Sequence, residues 1–173
     1  MGRLVAGKNI NLRDVEVEDA EFILSLRLNE KLNKYLSKTE NDLARQIAWI
    51  RDYKTRENEY YFIIESKTGE SYGTVRIYDI IGDSFSWGSW IITETSPAFA
   101  GIESALLVYE YAFDELGYNR SHFEVVKGNE KVIAFHERFG AVRVREDEEK
   151  YYFEITKDQY KITREKYKRF LIS

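Results

Sequence analysis

Between Ser84 and Ala141 two strand-like runs alternate with two helix-like runs, and no other stretch restricts the fold so tightly. Phe85–Ile92 is aromatic and β-branched, Thr93–Ala100 is polar, and Ile102–Leu116 carries about four turns of helical sequence. A second strand, His122–Val126, follows, then Gly128 and Asn129 as punctuation, then a helix over Lys131–Phe139 that stops at Gly140. Two strands joined through a helix lie parallel in one sheet. A strand that opens into a helix N-terminus also leaves amide N–H groups aimed at one place, which suits a phosphate or pyrophosphate.

The flanking chain supplies the rest of a mixed sheet. Asn9–Val15 alternates as a first or edge strand, and Phe22, Ile23 and Leu26 recur at helical spacing. A loop over Ser37–Asn41 leads to a second helix, Asp42–Tyr53, with Leu43, Ile47 and Ile50 on one face. Tyr60–Glu65 and Tyr72–Ile80 form a hairpin across Lys67–Glu70, and Gly82–Asp83 turns the chain into Phe85–Ile92, so these three strands are antiparallel neighbours. Val142–Arg145 and Tyr151–Ile155 make a last hairpin before a helical extension over 158–171. The expected class is α/β, a mixed and mostly antiparallel sheet with helices on both faces. Its crevice should lie between Trp90 and His122, where antiparallel pairing gives way to parallel.

With 173 residues, one proline and no Gly/Ser-rich segment, the expectation is a single domain over residues 1–173. Absence of cysteine removes disulfides and thiolate-bound zinc, and two histidines offer little for any metal, so none is expected. Net charge is −4 with basic and acidic residues interspersed, which gives no nucleic-acid footprint. No apolar run long enough for a signal peptide or a membrane span occurs; a cytoplasmic protein, monomeric or homodimeric, is expected. Aromatic residues reach 15%, enough to fill a β-rich core and to line a pocket.

Three features, the strand WGSWII, the helix end AFDELGYNR and the helix NEKVIAFHERFGA, resemble the GNAT acyltransferase superfamily. The likeness extends over nearly the whole chain and is nearest to the branch of ribosomal-protein N-terminal and amino-sugar N-acetyltransferases. It implies the GNAT fold, with the sheet splayed between the fourth and fifth predicted strands, and acetyl-coenzyme A held in that gap as co-substrate. Strand contacts to the pantetheine arm map onto Trp90, Ile91, Ile92 and Thr93. Phosphate contacts map onto Ala98, Phe99, Ala100, Gly101, Ile102, Glu103 and Ser104. Only Gly101 survives of the family's usual glycine-rich loop. Glu103 would repel a pyrophosphate and is read as an outward-pointing helix N-terminal charge.

By the same resemblance Asn129 contacts the pantetheine arm, although a turn residue after Gly128 would explain it equally. His136 stands where relatives carry a tyrosine that protonates the leaving thiolate, and an imidazole with an ordinary pKa of about 6.5 can do that work. The strand position where some relatives carry a glutamate base is Ser86, which cannot serve. Glu124 and His122, on one face of their strand, are the substitute bases, with solvated strand residues as the plain alternative. For the acceptor, a small-molecule amine, the candidates are Arg27, Asn29, Arg76, Tyr78 and Trp87. A nucleotide-linked amino sugar is the preferred acceptor, a peptide N-terminus or lysine the next, and a non-catalytic acyl-coenzyme A-binding module the reading from another class.

Overall fold

The computed structural model describes residues 2–172. Eight strands form one sheet in the order β1-β2-β3-β4-β5-β6-β8-β7. They are β1 (Leu4–Ala6), β2 (Ile10–Asp14), β3 (Tyr60–Ser66), β4 (Ser71–Ile81), β5 (Ser84–Ile92), β6 (Arg120–Val126), β7 (Val142–Glu146) and β8 (Lys150–Thr156). Among the described residues only β5 and β6 run parallel. Five helices accompany them: α1 (Ala20–Leu28), α2 (Leu43–Tyr53), α3 (Phe99–Glu110), α4 (Glu130–Arg138) and α5 (Lys157–Lys166). Among the described residues no helix is long and apolar enough to cross a membrane.

Period-two alternation divides the strands between two layers. On one face Leu12, Phe62, Val75, Phe85, Phe123 and Phe153 pack under α3, α4 and α5 in the larger core. On the other, Tyr61 and Ile63 meet Ile23, Ile50 and Tyr53 of α1 and α2 in a smaller one. The helices on this second face cover the β2–β4 side of the sheet, and the outward side chains of β6 and β8 are left open over a recess.

Two differences from the sequence reading bear on the site. The crossover helix begins at Phe99, three residues before Ile102, and its last turn, Tyr111–Glu115, widens into a π-turn in which Leu116 N–H reaches Tyr111 O at 2.9 Å. The earlier start follows from Pro97, whose carbonyl accepts Ala100 N–H at 3.0 Å and winds the first turn at once. The other is β1, an edge strand too short to show alternation, which pairs Val5 with Leu12.

Candidate functional site

Strands β5 and β6 pair at Ser84↔Arg120 and Phe85↔Ser121 and then diverge. A bulge in β5 sits beside the divergence. From Thr74↔Ile91 to Arg76↔Gly88, β4 advances two residues and β5 three, and the extra residue, Ser89, holds a left-handed φ of 46°. Such a backbone is strained for serine, and bulges commonly re-aim side chains next to active sites. Immediately past it, β4 crosses so close that a Cβ on Gly73 would lie 2.0 Å from Ile91 O, so glycine is obligatory there.

The gap on the α3–α4 side is a small cavity of about 140 Å³, lined by Trp87, Gly88, Trp90, Phe123, Asn129 and His136 among others. Ile91 and Ile92 pair with β4 along one edge, while β6 has left the other edge. That free edge can pair with an extended ligand arm. Thr93 N–H is already given to Tyr72 O at 2.8 Å. At the head of α3, Ala98 is exposed, and Ala100 is buried with its N–H bonded to Pro97 O. Ile102 is half-buried against the core. A Cβ on Gly101 would meet nothing nearer than Ile92 Cδ1 at 3.7 Å, so the protein alone gives no steric reason for glycine in this first turn. Ser104 is fully buried and serves as a tie: Trp90 Nε1 donates to its Oγ at 3.0 Å, and that hydroxyl donates to Gly101 O at 2.9 Å.

Glu103 points neither outward nor toward a phosphate. It is fully buried and accepts Asn9 N–H at 2.7 Å, Ile10 N–H at 2.9 Å and Asn9 Nδ2 at 2.9 Å, pinning the β1–β2 turn to α3. A carboxylate that accepts several N–H donors is stable inside a protein, and this one is aimed at the β1–β2 turn instead of the head of α3.

Asn129 occupies the first position before α4 with φ −80° and makes no side-chain cap. Neither left-handed geometry nor capping therefore accounts for asparagine, and its amide lines the gap. His136 lines it too, only 5% exposed, its ring centroid 4.3 Å from Phe123, 5.3 Å from Trp87 and 5.8 Å from Phe135. Its Nδ1 is buried without a partner, and burial among these rings pushes the pKa down to about 3. A protonated imidazole, the form expected to reprotonate a thiolate, does not persist there at neutral pH. What stands at the gap is a neutral ring whose N–H can only lend a hydrogen bond.

On the opposite face two recesses flank the gap. One, about 300 Å³, lies over the open strands and is lined by Tyr78, Asp79, Ser86, His122, Glu124 and Tyr152, with others. Glu124 lines this recess and the gap both, so it alone of the predicted bases stands at the passage. Lys150 Nζ donates to its Oε1 at 2.9 Å. His122 differs, because both its nitrogens are engaged: Nδ1 with Ser84 Oγ at 2.6 Å and Nε2 with Asp79 Oδ2 at 3.1 Å. Asp79 reaches across β5 because it is the extra residue of a second bulge, φ 50°. The trio clasps β4, β5 and β6 at the closed end of the gap and offers no free nitrogen for a substrate proton. Tyr78 reaches the passage from β4, its hydroxyl 3.0 Å from where a Cβ on Gly88 would lie.

The other recess, about 340 Å³, lies between the α1–α2 pair and the sheet, lined by Arg27, Lys38, Arg45, Trp49, Tyr61, Arg76 and Ser89 among others. The fold thus joins Arg27 and Arg76. Asn29 is not among the lining residues; its Oδ1 accepts Lys31 N–H at 2.9 Å behind the end of α1. Trp87 faces the other side of the sheet, 4% exposed, with Nε1 donating to Tyr109 Oη at 3.1 Å. Sequence reasoning missed Lys38, Arg45, Trp49 and Ser89. Trp49, off the Leu43–Ile47–Ile50 stripe, was the one signal available.

Residues 9–142 match the family model described as the acetyltransferase (GNAT) domain. The chain is 48% identical to a protein solved as apo FdhC, a nucleotide-linked sugar GNAT, with a TM-score of 0.90, covering 99% of this chain and 100% of that one. A GCN5-related N-acetyltransferase from Brucella melitensis is 17% identical, TM-score 0.81, over 98% of this chain and 86% of that one. Spermidine N-acetyltransferase from Vibrio cholerae, solved with CoA and spermine, is 19% identical, TM-score 0.78, over 88% and 98%. At those lower identities the likeness is one of fold. No curated protein matches the chain.

Proposed function

Because this chain belongs to the GNAT acetyltransferase family, we propose that it acetylates the amine of a nucleotide-linked sugar, with acetyl-coenzyme A as the donor. The observation that carries the choice of acceptor is the full-length, 48% identical likeness to FdhC, described as a nucleotide-linked sugar GNAT. The electrostatics of the acceptor side agree. Arg27, Lys38, Arg45 and Arg76 outnumber Glu40 and Asp42 in the lining of one recess, an excess of positive charge that suits an anionic acceptor and disfavours a polyamine such as the spermine bound to the Vibrio protein.

In this reading the donor's arm lies along the free edge of Trp90–Ile92, steadied by the Asn129 amide, and the pyrophosphate rests against the first turn of α3 around Phe99 and Gly101. The amine enters from the open face. Glu124 takes its proton, directly or through water, as nitrogen bonds to the thioester carbonyl carbon. The carbon–sulfur bond then breaks and the thiolate leaves with a proton from solvent, while the neutral His136 ring contributes a hydrogen bond. Positioning between the two faces supplies much of the rate.

Thiol release from acetyl-coenzyme A tests this with nucleotide-linked amino sugars, free amino sugars, N-terminal peptides and spermidine as acceptors. Turnover concentrated on the nucleotide-linked sugars is the expected result. Preference for spermidine or a peptide would overturn the acceptor assignment and leave acetyl transfer intact.

A further inference from the structure

We propose that the recess between α1–α2 and the sheet is the diphosphate subsite of the acceptor, with Arg27 and Lys38 as its anion ligands. The assignment rests on the acceptor reading above and deepens it. Its first support is the charge balance of the recess. Arg45 is spent on Glu40 at 2.7 Å, and Arg76 is paired with Glu59. Arg27 and Lys38, among the described residues, have no carboxylate partner. Asp42, the other lining carboxylate, accepts Arg45 N–H at 3.0 Å at the head of α2, so the lining keeps an excess of positive charge to face a diphosphate diester.

The second support is how Arg27 is held. Its Nε donates to Thr39 Oγ1 at 2.8 Å and its Nη2 to Ser37 Oγ at 3.0 Å. Neutral hydroxyls fix the guanidinium plane without cancelling its charge, so the remaining donors stay available to a planar pair of phosphate oxygens. Both hydroxyls and Lys38 come from the loop between α1 and α2, which therefore orients one cation and delivers the other. Thirdly, Trp49 lies in the same wall beneath the Arg76 guanidinium, 5.2 Å from ring centroid to Cζ. With the Arg76 and Arg56 guanidinium groups over its ring, the indole offers a base an apolar edge contact beside the diphosphate.

Finally, the recess is adjacent to the chemistry. Its floor includes Ser89, and the preceding residue, Gly88, lines the donor gap. A ligand with phosphates at Arg27 and a sugar passing the Ser89 bulge reaches the passage that Glu124 borders. The acceptor face is thereby polarised, with an excess of cations at the nucleotide end and an excess of carboxylates at the amine end. A nucleotide-linked amino sugar carries the complementary dipole and binds in one direction only.

The test is calorimetric binding of UDP, dTDP and inorganic pyrophosphate to the full chain saturated with coenzyme A, which fills the donor's own phosphate site. Arg27→Gln should weaken nucleoside diphosphate binding about 10–100-fold, as loss of a charged hydrogen-bonded partner does. Lys38→Gln, on an exposed loop residue that leaves the fold untouched, should weaken it less, and its binding should also depend less on salt. Coenzyme A affinity should hold in both variants, which certifies their folding, and Lys161→Gln on α5 should change nothing. Unchanged nucleotide binding in both variants, or nucleotide binding abolished by saturating coenzyme A, overturns the assignment even if nucleotide-linked sugars are acetylated. Conversely, Arg27-dependent binding without acetylation of any nucleotide-linked sugar keeps the anion subsite and sinks the acceptor reading.

Discussion

The two sides of the β5–β6 gap are built from alternate residues of the same strands, yet they obey opposite physics. Facing α3 and α4, Trp87, Phe123, Val125 and Phe153 make a dry aromatic wall in which even a histidine is stripped of its charge. Facing outward, Ser86, His122, Glu124 and Glu154 border an open polar recess. A shift of one residue in register would exchange the two sets. The lesson is that neighbours in sequence divide labour here: one set maintains the gap and the other works at it.

Substitutions one residue apart on β6 give the strongest test. Phe123→Ala should cost about 3–5 kcal/mol of stability, because a 5% exposed ring stacked on Phe153 and tilted against His136 leaves a cavity. Denaturant unfolding would register it. Glu124→Gln should leave stability within about 1 kcal/mol, since its ion pair with Lys150 is solvent-exposed, but lower kcat/KM for the amine about 10²–10⁴-fold if it is the base. Comparable stability losses in both, or undiminished turnover in Glu124→Gln, would dissolve the division.

A smaller effect separates the walls by pH. The folded-state pKa of His136, about 3, lies below its unfolded value of about 6.5. The unfolded chain therefore takes up a proton that the native one refuses, and stability present above pH 6.5 declines as pH falls toward 3. Between pH 6.5 and 5 the loss attributable to this residue is about 2 kcal/mol. That window lies above the ordinary carboxylate range, and His136→Phe should flatten it. A slope equal to wild type would place the proton elsewhere.

The gap itself was readable in the sequence, because a crossover helix after three hairpin-linked strands forces one parallel pair. Its wall was partly readable, since Trp90 and His136 fall on a predicted strand and a predicted helix, and Asn129 on the turn before that helix. The acceptor side was not. Arg27 and Lys38 meet through a loop without periodicity, Ser89 adopts a backbone geometry that its residue type does not advertise, and Glu103 finds its partners 93 and 94 residues away. An acidic residue in a first helical turn has a sufficient local explanation in the helix dipole, which is why the buried role of Glu103 was invisible.

Gly101 offers the smallest effect and the finest discrimination. At a helical position in the first turn, replacing glycine with alanine stabilises by about 0.4–1 kcal/mol through the unfolded chain's entropy, provided the methyl has room. Room exists, because the new Cβ would sit 3.7 Å from Ile92 Cδ1 and 4.0 Å from Trp90 Cζ2, ordinary contact distances. Gly101→Ala should thus raise the unfolding temperature of the free protein slightly. Those two neighbours belong to the strand edge that borders the gap, so the same methyl projects to where the donor's phosphates approach α3. Acetyl-coenzyme A should then protect the variant less than wild type in a thermal-shift titration, although the free variant is more stable. Opposite signs for the two quantities would mean that glycine is kept for the ligand and not for the fold. A rise in both would move the pyrophosphate away from this turn, toward Ala98 and the loop before it.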